Sequence, residues 1–233
     1  NINNIGAAEF TDGTATEHMT WLREKCGVSV IRIFAKVEGV DGVMNALNAA
    51  AASGVKIIVA IGDYSNGGGG VPQGAGKFWY ESGYKGEYTI LARSIANKVT
   101  GNPALFGIEL ANEAHCGGDA TAIDAYKAWG ADIGKILAPA SGNIGYGQMA
   151  GQNTTRCDSP GPGDFKETNS IPEITMTSAH YYTEEEKQNA FAALSISQGL
   201  GKMFYIGEAP PGGLSESSEE DQASGYDTSQ YPL

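Results

Sequence analysis

The sequence predicts an α/β fold of the (β/α)8 TIM-barrel class, small for that class or with an incomplete eighth strand. Three observations predict it. Short β-branched and aliphatic runs alternate with Ala-rich helical stretches, the rhythm of parallel βα units. The clearest run, Val55 to Ile61, is apolar at nearly every position, as expected of a strand covered on both faces. Polar residues gather at or near the C-terminal ends of such runs: Arg32, Asp63, Asn112, Glu113, His180 and Glu208. A barrel brings those ends to one mouth, whereas an open sheet gathers only the residues beside its switch point.

In chain order, Ile2 to Ala7 is a candidate first strand. Thr16 to Cys26 reads as a helix, with Met19, Leu22 and Cys26 near helical spacing. Val28 to Phe34 is a strand. Gly42 to Ser53 is an Ala/Asn-rich helix, and Gly54 is placed to end it. Val55 to Ile61 is the next strand. Tyr88 to Val99 is an amphipathic helix carrying Ile90, Leu91, Ile95 and Val99, and Leu105 to Leu110 is a strand. Thr121 to Leu137 is a long helix stopped by Pro139. Asn143 to Gly147 is a short strand and Ile174 to Ala179 another. Glu184 to Gln198 is helical, and Met203 to Gly207 is the last clear strand. That makes about seven strands, with Glu113 on the fourth and Glu208 on the seventh.

Two segments break the rhythm. Asn66 to Gly76, with Gly67 to Gly70 inside it, is too glycine-rich for a regular element and reads as a long loop, either on the active face or as a surface insertion. Pro210 to Leu233 is polar and acidic and offers no apolar run for strand eight; residues 211–233 form a tail on one catalytic domain spanning 1–233.

The chain has 233 residues, of which 41% are hydrophobic and 18% charged, and this composition is that of a globular protein. The net charge of −12 argues against nucleic acid and against an anionic membrane surface. It is compatible with a neutral polysaccharide or oligosaccharide substrate handled by a monomer. No apolar run is long enough to span a bilayer. The first residue is Asn1, which fits a mature secreted form or a trimmed one. Cys26, Cys116 and Cys157 are an odd set, compatible with one bridge between Cys116 and Cys157 or with three thiols. No zinc-like Cys/His spacing occurs, and no cofactor is called for.

The chemistry rests on two carboxylates. The apolar run Gly107-Ile108-Glu109-Leu110-Ala111 ends in Asn112-Glu113, and Met203-Phe204-Tyr205-Ile206-Gly207 ends in Glu208. Glycoside hydrolysis needs one carboxylic acid to protonate the leaving oxygen and one carboxylate on the other side of the anomeric carbon. The acid of the pair needs a raised pKa, which burial and a neighbouring negative charge supply. Trp79, Tyr80 and Tyr84 suit either stacking on sugar rings or packing at the barrel top. His18 reads as a helix-surface residue, and Glu184-Glu185-Glu186 as a solvated helix N-terminus.

Leu110-Ala111-Asn112-Glu113 together with Ile206-Gly207-Glu208 resembles clan A of the glycoside hydrolases, and within it family 5. Trp21 to Phe34 is similar to that family's helix-then-strand opening, with Arg32 at the position of an Arg beside the nucleophile. Asn102 to Leu110 resembles the run leading to the acid/base in the β-mannanase branch, and Ala179-His180-Tyr181-Tyr182 resembles its His-x-Tyr on strand six. The likeness covers about residues 16 to 210. It implies a retaining mechanism on a β-1,4-linked glucan or mannan, with Glu113 as acid/base and Glu208 as nucleophile. It implies further that Arg32 and Tyr182 bond the nucleophile and that His180 and Asn112 bind sugar hydroxyls. The chain departs from the pattern in having Ala114-His115 after the Asn-Glu pair, Gly62-Asp63-Tyr64-Ser65-Asn66 where endoglucanases carry a His, and no strand-eight Trp. Of these departures, the Gly62 to Asn66 stretch leans away from endoglucanases and toward a mannanase. An endo-β-glucanase and a carbohydrate-binding barrel without catalysis are the alternatives, and a metal-dependent hydrolase is disfavoured by too few histidines at the strand ends.

Overall fold

The structure is a computed structural model and describes residues 14–114, 120–150 and 162–209. The candidate strand Ile2 to Ala7, the acidic tail, His115, Cys116 and Cys157 lie outside the described residues. Helices and parallel strands alternate: α1 (Ala15–Cys26), β1 (Val30–Phe34), α2 (Ala35–Ser53), β2 (Lys56–Asp63), α3 (Lys77–Glu81), α4 (Glu87–Val99), β3 (Leu105–Asn112), α5 (Ile123–Leu137), β4 (Ile144–Gly147), α6 (Pro162–Asn169), β5 (Met176–His180), α7 (Glu184–Gly199) and β6 (Met203–Glu208). Glu113 and Glu208 therefore lie at the ends of the third and sixth described strands.

The strands pair in the order β1-β2-β3-β4 and β5-β6, all parallel. Backbone bonds from Thr175 N to Ile144 O (2.8 Å) and from His180 N to Gln148 O (2.6 Å) carry the sheet from β4 into β5. Alternation then sorts the side chains. Ile31, Ile33, Ile57, Val59, Ile61, Ile108 and Leu110 pack outward beneath the helices in one apolar layer. Each such aliphatic contributes on the order of 1.5–3 kcal/mol by leaving water. Arg32 and Glu109 face inward and meet across the interior. A helix-covered parallel sheet with a polar interior at its C-terminal end is the barrel frame that the strand rhythm predicts.

Local chemistry sets several boundaries. α2 starts directly after β1 and is interrupted at Gly39 (φ 62°, ψ −170°), so the predicted helix Gly42 to Ser53 is only its second part. Gly54 ends it in the left-handed conformation, φ 71°. α7 opens on a capping box between Thr183 and Glu186, which gives Glu186 a specific bonding role at the helix start. α3 and α6 are absent from the sequence reading, because elements of 5 and 8 residues show too little periodicity.

Trp79, Tyr80 and Tyr84 are buried, so they serve packing and not sugar stacking. With Tyr88, Tyr126, Trp129 and Tyr146 they form a cluster whose ring centroids lie 5.0–6.3 Å apart, mostly tilted or edge-on. Tyr88 ties this layer to β3 by donating its hydroxyl to Leu110 O at 2.7 Å. No helix among the described residues is long and apolar enough to cross a membrane.

Candidate active site

Glu113 follows β3 directly and is the one non-glycine described residue with positive φ, 49°. Its N–H donates to Gly147 O at 2.8 Å, which holds the turn against β4. A left-handed non-glycine residue costs on the order of 1 kcal/mol or more, and such strain is tolerated where the neighbours fix it. The turn swings the carboxylate off the strand and into the mouth.

There it meets β5 and β6. His180 Nδ1 lies 3.1 Å from Glu113 Oε1 and 3.8 Å from Glu208 Oε1. The Tyr182 hydroxyl lies between the two carboxylates, 3.2 Å from Glu113 Oε1 and in a short hydrogen bond with Glu208 Oε2. One oxygen of Glu113, one oxygen of Glu208 and His180 Nδ1 all fall within 4.8 Å of one another. Burial together with Glu208 and Glu113 pushes the Tyr182 phenol far above its ordinary pKa, so it stays protonated and donates.

Glu208 is anchored from the opposite edge of the sheet. Arg32 Nη1 donates to its Oε1 at 2.7 Å. The same guanidinium grips Glu109 through Nε (3.0 and 2.9 Å) and Nη2 (2.6 Å), and Nη2 also reaches Asn112 Oδ1 at 2.8 Å. Glu109 is 0% exposed and Arg32 5%. Burial alone would lower the Arg32 pKa, but Glu109 and then Tyr205 and Glu208 hold it above its ordinary value. Tyr205 donates a short hydrogen bond to Glu109 Oε1. A buried carboxylate is tolerable only when paired and bonded in this way.

His180 and Asn112 are turned toward protein groups. The imidazole is fully buried, its Nδ1 faces the two carboxylates and its Nε2 has no hydrogen-bond partner among the described residues. With a proton assigned to Nδ1, the ring donates to Glu113 Oε1. Gly207 makes room for this ring, because a Cβ there would come 2.5 Å from Nε2. Asn112 Nδ2 donates to Asp63 Oδ1 at 3.2 Å while its oxygen accepts from Arg32.

The carboxylate of Glu113 corrects the expectation of a raised pKa. Burial does push it up, but the hydrogen bond and charge of His180, then the hydroxyls of Ser65 and Tyr182, outweigh that push and hold Glu113 below its ordinary value. Ser65 supplies a short hydrogen bond to Glu113 Oε2. This places the start of the glycine-rich loop at the site. Glu113, His180 and Glu208 each offer one ligand atom that a metal ion could use, but Arg32 already occupies Glu208 Oε1 and Ser65 and Tyr182 bond Glu113, so the three are engaged as a hydrogen-bonded cluster.

No protein-family model matches the chain, and no curated protein matches it in sequence. Solved structures match it in fold. An endo-1,4-beta-D-mannanase from Thermotoga petrophila RKU-1 aligns with a TM-score of 0.71 at 15% identity, over 98% of this chain and 84% of that one. This chain has the fold of the endo-β-mannanase barrels. A second mannanase structure from Thermotoga petrophila gives 0.68 at 15% identity over 88% of this chain, which spans 60% of that longer protein. The mannanase from Rhizomucor miehei gives 0.56 at 14% identity, covering 80% of this chain and 68% of its own. At these identities the mannanase likeness is one of fold.

Within that barrel frame, three contributors escaped the sequence reading. Glu109 carried a signal, being the charge inside the apolar run of β3, which demands a buried partner. Tyr205 sits in an ordinary strand run, and Ser65 in a loop, so neither stood out.

Proposed function

We propose that this chain is a retaining endo-β-glycoside hydrolase of the family 5 type, acting on β-1,4-mannan or, second, on a related β-glucan. The observation that carries it is the carboxylate pair: oxygens of Glu113 and Glu208 within 4.8 Å, at the ends of two strands, sharing one phenol. Retaining enzymes hold such a pair roughly 5–5.5 Å apart and inverting ones roughly 6.5–9.5 Å, so the short separation supports double displacement.

The partners of each carboxylate support a division of labour. Glu208 faces Arg32, a group that only donates and never loses its charge, which suits an ionised nucleophile. Glu113 faces Ser65, Tyr182 and an imidazole, and the two hydroxyls can accept as well as donate, which suits a group that gains and loses a proton. Glu208 attacks the anomeric carbon while protonated Glu113 gives its proton to the departing glycosidic oxygen. Ionised Glu113 then takes a proton from water, whose oxygen displaces Glu208 from the sugar. Asn112 keeps one Nδ2 hydrogen for a sugar hydroxyl, whereas His180 is assigned to Glu113. Both carboxylates come from one chain, so a monomer suffices, and a polymeric substrate fits a secreted enzyme.

Glu113→Gln is expected to lose about 10²–10⁴ in rate and Glu208→Gln at least as much, both with intact circular dichroism. The assay is hydrolysis of mannan, cellulose, xylan and β-1,3-glucan, with the product anomer followed by NMR. Near-wild-type turnover in either variant, or an inverted product, would overturn the assignment. Binding to the same glycans with no turnover by the wild type would favour a non-catalytic carbohydrate-binding barrel.

A further inference from the structure

We propose that Ser65 is a positioning residue that presets the protonation of Glu113 and so gives this site an acid-shifted working range. The consequence for turnover rests on the glycosidase reading; the contact and its effect on Glu113 do not.

The contact is built. Asp63, 1% exposed, accepts the backbone N–H of Ser65 at 3.1 Å and of Asn66 at 3.4 Å on one oxygen, and Asn66 Nδ2 at 3.1 Å on the other. The first oxygen also accepts Asn112 Nδ2 at 3.2 Å. One carboxylate thus ties the turn that carries Ser65 to the strand end that carries Glu113. Tyr64 N adds a bond to Asn112 O at 3.0 Å, and Gln73 Nε2 holds Ser65 O at 2.9 Å. The glycine run behind the turn is seated on the barrel. A Cβ on Gly69 would come 2.4 Å from Ile61 O, and one on Gly70 2.7 Å from the Tyr88 backbone. The Ser65 hydroxyl is held against Glu113 by a closely packed loop.

Glu113 is faced by His180 from β5, Tyr182 just beyond it and Glu208 from β6, with Arg32 behind Glu208 and Asp63 behind Ser65. Glu208 opposes ionisation of Glu113, while the donors favour it. His180 and Tyr182 are shared with Glu208. Ser65 bonds Glu113 alone of the two carboxylates. A hydroxyl donated to a carboxylate stabilises its charged form. Ser65 is therefore a means of adjusting the acid/base without disturbing the nucleophile. The depressed pKa of Glu113, to which Ser65 contributes after His180 and against the upward push of burial, points the same way. A general acid must be protonated to act, so a lower pKa draws the basic limb of the rate profile toward acid.

The test compares wild type, Ser65→Ala and Ser65→Thr by carboxyl ¹³C NMR titration of glutamate-labelled protein, with Glu113 assigned by loss of its signal in Glu113→Gln. Removing the donor is expected to raise the Glu113 midpoint by about one pH unit, and the basic limb of kcat/KM by as much. The acid limb stays in place, and Ser65→Thr, which keeps the hydroxyl, stays near wild type. An unmoved midpoint in Ser65→Ala overturns the proposal, as does a uniform loss of kcat with both limbs in place. A wild type inactive on every glycan would overturn the proposed function instead, and the NMR midpoint would still decide the role of Ser65.

Discussion

Arg32 and Glu208 meet at 2.7 Å although 176 residues separate them. Their strands, β1 and β6, are the two ends of the described hydrogen-bonded order, so this ion pair bridges across the barrel where side chains and not backbone make the link. The same guanidinium carries Glu109 and Asn112. Its removal would leave two buried carboxylates without their cation.

Arg32→Ala is therefore expected to destabilise the fold by about 3–5 kcal/mol, the range for breaking a buried pair from one side. Arg32→Lys is expected to recover only part of this, because an ammonium cannot reproduce the planar fork that serves Glu109 and Glu208 together. Urea unfolding at neutral pH reads both. A loss below about 1 kcal/mol in Arg32→Ala would mean that the cluster is solvated like a surface pair.

Tyr182 is the next link, one phenol between two carboxylates. Tyr182→Phe keeps the ring and removes the donor. Hydrogen bonds to charged groups contribute about 1.5–3 kcal/mol, so kcat/KM is expected to fall about 10–150-fold with stability little changed. An unaltered kcat/KM on the best glycan substrate would remove Tyr182 from the catalytic assembly.

The fold was legible where burial is continuous. Val55 to Ile61 has Lys56 as its single polar position, and Ile57, Val59 and Ile61 lie in the core. The strand-end carboxylates were legible because a charge that stops an apolar run is conspicuous. What could not be read depends on contacts distant in sequence. Ser65 meets Glu113 across 48 residues and Tyr205 meets Glu109 across 96. The depressed pKa of Glu113 is invisible in sequence for the same reason: a neighbouring carboxylate was evident, whereas three converging donors were not.

That depression has a consequence for stability. A carboxylate whose folded pKa lies below its unfolded value stabilises the fold at pH above the unfolded value, and this contribution is lost as pH falls through the folded one. Glu113 is lowered from 4.5, so its window opens near that pH and extends below it. The unfolding free energy of wild type relative to Glu113→Gln is expected to decline as the buffer is taken from about pH 6 to about pH 3. A difference that stays flat or rises on acidification would show that the donors around Glu113 do not favour its ionised form.

The outer layer offers a test independent of catalysis. Gly130 on α5 faces Tyr146 of β4, and a Cβ there would lie 1.8 Å from the Tyr146 hydroxyl oxygen and 2.9 Å from the ring carbon bearing it. That hydroxyl is buried with no hydrogen-bond partner among the described residues. Alanine at an interior helix position normally gains about 1 kcal/mol over glycine. Here overpacking is expected to reverse the sign, making Gly130→Ala destabilising by about 1–3 kcal/mol. Tyr146→Phe removes a buried polar atom that has no partner, so alone it is expected to be neutral or stabilising. Together the two are expected to be non-additive: the double variant recovers much of the Gly130→Ala loss, short of all of it because the ring carbon remains close. Thermal unfolding of the four proteins closes the cycle, and strict additivity would mean that α5 shifts away from β4 rather than pressing on Tyr146.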